Sequence, residues 1–132
     1  MDEKEKALRR FGEWENYALE DEQIIMLALK EDGPPNQICL HAQQMAEKYL
    51  KGFLAFHKNI PLKTHNLESL IDECGKYDAS FLELKEEIVL LKTFYIEARY
   101  PGDIIEFSLQ EAKEGYEAAK KIKDFVSEKV EE

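Results

Sequence analysis

Three groups of residues in this chain have the types and spacing to do chemistry. The first is Arg99-Tyr100-Pro101-Gly102-Asp103. An arginine fork is planar and permanently charged, suited to binding phosphate or stabilising a developing anion, and Tyr100 and Asp103 flank it. The same segment also reads as helix punctuation. A cation is favoured at a helix C-terminus by the dipole, and aspartate is a good N-cap. The second group is Gln43, Gln44, Glu47, Lys48 and Lys51, which crowd a narrow arc of one helix. Glu47 and Lys51 stand four apart, in the favourable order for a helix salt bridge. This arc is either a solvated face or a polar seam against another helix or subunit. The third is Asp21, which falls on an apolar stripe with Trp14, Ala18, Ile25 and Ala28. A carboxylate there should not be buried unpaired. Arg99, Lys48 or Lys51 could pair with it; otherwise it lies at an exposed stripe edge.

The histidines are His41, His57 and His65, without the spacing of a helical metal pair. His65 stands beside Thr64, and a histidine near a cap more often hydrogen-bonds locally than catalyses. There is no nucleotide-binding glycine loop, nucleophile elbow or cysteine–zinc pattern. No metal and no cofactor are expected.

Helices must position these residues. Glu5 to Lys30 is amphipathic, and Gly33-Pro34-Pro35 stops it. Gln37 to Lys58 forms a second helix whose wide apolar face (Ile38, Ala42, Met45, Tyr49, Phe53 and Phe56 at its centre) implies neighbours on two sides. Thr64 can cap a short third helix that ends at Gly75. A fourth begins near Ser80 and carries Phe81, Leu84, Ile88, Leu91, Tyr95 and Ala98 inward. Pro101 and Gly102 break the chain. Asp103 with Glu106 then suits a capping box for a long fifth helix, with Ile105, Leu109, Ala112, Tyr116, Ala119, Ile122 and Val126 inward. Short loops between long helices favour antiparallel neighbours. The expected fold is all-α, an up-and-down helical bundle of four main helices plus one short helix. It forms a single domain over residues 1–132, with its core at about 11–125.

Composition sets limits on partners. With 44% apolar and 35% charged residues, the chain has the makings of a packed core under a charged surface. A net charge of −10 argues against general attraction to DNA or an anionic membrane. No apolar run is long enough to span a bilayer. Cys39 and Cys74 lack C-x-x-C spacing and read as reduced thiols of a cytoplasmic protein.

The stretch from Cys39 to Leu54 (CLHAQQMAEKYLKGFL) resembles the signature helix of HEPN domains, the "higher eukaryotes and prokaryotes nucleotide-binding" family. The Trp14, Ala18 and Asp21 pattern is similar to that family's opening. His65-Asn66-Leu67 resembles its H-D-L element, with asparagine in place of aspartate, and Arg99-Tyr100-Pro101 its R-Y-P segment. The match runs from Phe11 to Phe125 in the family's order.

The resemblance implies a bundle that dimerises and acts beside a minimal nucleotidyltransferase, often as a toxin–antitoxin pair. Other relatives are metal-independent ribonucleases with an arginine followed four to six residues later by a histidine. Here Arg99 matches, but that interval holds Ile104, Ile105 and Glu106. Without the imidazole, a base near neutral pH is missing. The reading therefore leans away from catalysis. It makes the chain a nucleotide-binding or interaction partner of such a nucleotidyltransferase. Arg99, Tyr100, Asp103, Lys48, Lys51, Glu47, Asp21, Gln44 and His65 are the candidate ligand-binding residues. The alternatives are a ribonuclease with a substitute base (Glu106, Asp103 or His65), RNA then being its ligand, and a purely structural dimer module. In a homodimer with a shared groove, two copies of Arg99 would repel, and an anion or carboxylates such as Asp21, Glu47 or Asp103 would relieve them.

Overall fold

The computed structural model describes residues 1–58, 63–94, 102 and 105–132. Among these residues there are α1 (Glu3–Lys30), α2 (Pro35–Phe56), α3 (Leu67–Gly75), a 3-10 turn (Ala79–Leu84), α4 (Lys85–Lys92) and α5 (Leu109–Glu131), and no strand. The architecture is an all-α, up-and-down bundle, as expected. None of these helices is long and apolar enough to cross a membrane.

Cross-helix contacts give the directions. Arg10 donates to the carbonyls of Ala55 and Phe56, Tyr49 to Glu15, and Lys48 to Asp21. Residue numbers rise on α1 as they fall on α2, so the two are antiparallel. The same holds for α1 and α5, through Lys4 with Glu132 and Lys123 with Glu22. It holds again for α4 and α5, where Lys121 pairs with Glu87 and Phe94 meets Gly115.

α2 is the central element. Its N-terminus has no side-chain cap. Burial of Ile38, Met45, Tyr49, Leu50, Phe53 and Leu54 compensates, at about 1.5–3 kcal/mol for each large apolar side chain. α1 packs along one side and α5 along the other, which is why the apolar face is so wide. Cys39 and Cys74 are free, buried thiols. Burial pushes the Cys39 thiol up to about 11 and that of Cys74 higher still, so both stay protonated.

The elements depart from the sequence pattern at three places. The third helix is capped by Asn66, whose side chain accepts from Ser69 N at 3.2 Å, and not by Thr64. Thr64 instead accepts from Asn66 N, one step earlier. The fourth helix does not start as α-helix near Ser80. Asp78 caps a 3-10 turn there, and α-helix begins at Lys85.

The third departure is the start of α5. Its capping box is Ser108 with Glu111, both reciprocal bonds at 3.0 Å, and not Asp103 with Glu106. Asn36, at the start of α2, explains the delay. Its side chain donates to Ile105 O and accepts from Phe107 N, which holds residues 105–107 out of helix. Phe107 then packs edge-on against Phe94. In consequence Ile105 and Leu109, expected inward, are 56% and 41% exposed. Tyr95, Ala98 and the break at Arg99–Asp103, Gly102 excepted, lie outside the described residues.

Two outcomes follow from this packing. At Gly115 a Cβ would fall 2.4 Å from the buried Phe94 ring. Gly115→Ala is therefore expected to lower stability by about 1–3 kcal/mol in urea titration, despite alanine's better helix propensity. Ser80 donates to Asp78 from both its hydroxyl and its backbone N–H, and Lys129 of α5 adds an ion pair, holding the Asp78 carboxyl at about 2. Its folded value lies below the ordinary 3.8, so its contribution is fully present above about pH 4 and fades as pH falls toward 2. Acid titration of Asp78→Asn should show a shallower loss of stability across that window than the parent.

Candidate functional site

The polar arc of α2 is a seam, and largely a buried one. Gln43, Glu47 and Lys51 are 2%, 6% and 8% exposed. Charged groups so deeply placed must be paired. Two clusters do this.

The first joins α1 to α2. Asp21, 4% exposed, accepts from Lys48 Nζ through one oxygen at 2.5 Å. Its other oxygen lies 2.8 Å from His41 Nδ1. Lys48 was among the partners expected from the stripe; Lys51 pairs elsewhere, and Arg99 lies outside the described residues. His41 was not foreseen as a partner, though it stands seven residues before Lys48 on the same helical row.

The second cluster joins α2 to the segment before α3. The expected Glu47–Lys51 pair forms at 3.3 Å, and Lys51 also lies over the Trp14 ring at 5.6 Å. The other Glu47 oxygen lies 2.9 Å from His65 Nδ1, and Gln43 Nε2 donates to His65 O. His65 is thus engaged across 18 residues of sequence and not only by its own cap. A carboxylate on one ring nitrogen fixes the orientation of an imidazole.

Beside this cluster is a cavity of about 470 Å³, lined by Gln43, Lys63, Thr64, His65, Asn66 and Lys92 among others. Lys92 is shared with Glu68 at 2.6 Å. In an acidic chain, a pocket with two lysines, an imidazole and amide groups is a local exception. The lysines carried no sequence signal: Lys63 is in a loop and Lys92 ends α4, and neither belongs to a motif. Gln44 is half-buried on the same arc of α2.

Asp21 and Glu47 are each paired with a lysine of their own chain. Glu106 is exposed and lies in the segment just before α5. Arg99, Tyr100 and Asp103 lie outside the described residues. Among the described residues no three His, Cys, Asp or Glu side chains converge as metal ligands.

Two further buried groups are structural. Burial works against ionisation of Glu22, but hydrogen bonds from Lys123 and Tyr116 of α5 outweigh it and hold the carboxyl below its usual range. Burial, together with the Glu15 carboxylate, pushes the Tyr49 phenol well up, so it remains a neutral donor.

A family model described as HEPN domain matches residues 11–130. No curated protein and no solved structure matches the chain. The matched span holds α2, both ion-pair clusters and all of the cavity residues.

The first cluster makes a stability prediction. Removing the Asp21 carboxylate strands the Lys48 ammonium and leaves the His41 ring without its partner, and both are a quarter exposed or less. Asp21→Ala is expected to cost about 1–3 kcal/mol in chemical denaturation. In a double-mutant cycle with Lys48→Ala, non-additivity is the expected result, and strict additivity would show the pair to be idle.

Proposed function

The chain belongs to the HEPN domain family, and from the cavity at the end of the α2 seam we propose that it is a binding module that takes a nucleotide beside His65. In this reading it works in the cytoplasm as a homodimer and as the partner of a minimal nucleotidyltransferase, in a toxin–antitoxin arrangement. The observation that carries the ligand reading is the cavity, with Lys63, Lys92 and His65 in its wall and Gln43 beneath. The lysines suit phosphate, and the amide groups of Gln43 and Asn66 suit the polar edge of a base or sugar. Arg99 is assigned as a further phosphate contact on the resemblance alone. The partner reading draws support from the net charge of −10, which suits a protein with a basic face better than free nucleic acid.

One observation favours a second reading. Glu47 and His65 form a carboxylate–imidazole pair at 2.9 Å, the arrangement of an oriented general base. With Arg99 as the anion-stabilising cation, such a pair could support RNA cleavage in place of the missing histidine at 104–106.

Calorimetric titration with ATP and with a short single-stranded RNA, with and without a co-purified nucleotidyltransferase, separates the readings. Saturable ATP binding is expected, weakened about tenfold by His65→Ala or Lys63→Ala and also by Arg99→Ala, with the RNA left intact. No heat under either condition would leave only the structural dimer module. RNA degradation lost in both His65→Ala and Arg99→Ala would transfer the case to the second reading.

A further inference from the structure

The second half of α1 carries another apolar surface, on the side away from the core. Ala18 and Ile25 point inward and are fully buried, whereas Leu19, Met26 and Leu27 are 40%, 56% and 56% exposed. With Gln23 they line a shallow groove of about 340 Å³ that also takes in Glu22 and Lys30. The outer face of a bundle helix is ordinarily polar, so clustered Leu and Met side chains there call for a cover.

The acids beside the groove differ in whether they are paired. Glu13, Glu20 and Leu27 repeat every seven residues on one row, and Glu31 stands one turn beyond Leu27. Glu13, Glu20, Glu31 and Asp32 are all exposed, and none is paired with a cation among the described residues. The other margin is neutralised, because Glu22 accepts from Tyr116 and Lys123 of α5. What remains is an apolar floor that takes in Lys30, with the exposed acids Glu20 and Glu31 on the adjacent helical row.

We propose that this groove docks an amphipathic helix of a partner protein. Its apolar residues, at three- and four-residue spacing, would rest on Leu19, Met26 and Leu27, with lysines or arginines along the edge facing Glu20 and Glu31. A second copy of this chain is a poor occupant. In an isologous contact Glu20 and Glu31 would meet their own copies, in a chain of net charge −10. The same sign disfavours an anionic lipid surface. The groove shares no residue with the His65 cavity, so the proposal stands or falls apart from nucleotide binding.

The test titrates the full chain with a synthetic amphipathic helix of leucine and lysine, and with a version in which every lysine is glutamate. The lysine peptide is expected to bind with a micromolar Kd and the glutamate peptide not at all. Met26→Gln with Leu27→Gln should weaken binding about tenfold or more, and Glu20→Gln with Glu31→Gln a few-fold, the latter effect shrinking in high salt. Because all four side chains are exposed, circular dichroism of the variants should match the parent. Failure of the lysine peptide to bind would overturn the proposal. So would equal binding to the Met26/Leu27 variant, which would reduce the contact to general charge attraction. Loss of self-association in that variant by sedimentation would assign the groove to a second copy, and that too would overturn it.

Discussion

A carboxylate held at 4% exposure between two helices constrains everything near it. Left alone, Asp21 would cost several kcal/mol, and the Lys48 ammonium and the His41 ring of α2 prevent this. Lys48 and His41 stand two turns apart on one row of α2, so both reach Asp21 only in one register of α2 against α1. Hydrophobic packing alone tolerates a slip of one helical turn at modest cost. A buried ion cluster does not, because a slip would strand the carboxylate. Asp21 therefore acts less as a source of stability than as a register pin, and the Arg10 and Tyr49 contacts further along the pair fall into line with it.

Once that register is set, the far side of α2 is set too. Glu47 and Gln43 must face the segment before α3, where they meet His65. Glu47 is close to fully buried and bonded to both Lys51 and the His65 ring, so its orientation is over-determined. The imidazole it holds is much more exposed, with 65% of its side chain open. A rigid, buried anion carrying an accessible ring is the arrangement by which a scaffold offers a polar group to a ligand without letting it wander.

The helices were readable because their apolar periods are strong, and the wide face of α2 announced its central place. The seam was readable only as a choice between solvated and packed, since spacing alone does not reveal what lies opposite. Tertiary partners decided that choice. The start of α5 was misread for a related reason. Asp103 with Glu106 and Ser108 with Glu111 are equally good capping boxes on paper, and the tie is broken by Asn36, some 70 residues earlier, which bonds the backbone at both Ile105 and Phe107. A side chain that holds a distant backbone extended leaves no periodic trace. The cavity lysines were invisible for the same reason: Lys63 and Lys92 meet only through the fold.

Charge is segregated within α1 itself. On its inner side the acids Glu15, Asp21 and Glu22 each have a partner from α2 or α5. On its outer side Glu13 and Glu20, and just past its end Glu31 and Asp32, have none among the described residues. Solubility alone would be served by either sign, or by a mixture, around the exposed Leu19, Met26 and Leu27. Under the docking proposal, acids of one sign along this edge favour a basic partner at this face over a second acidic copy. The same helix thus uses paired acids to fix its own neighbours, while its outer acids stay open to solvent.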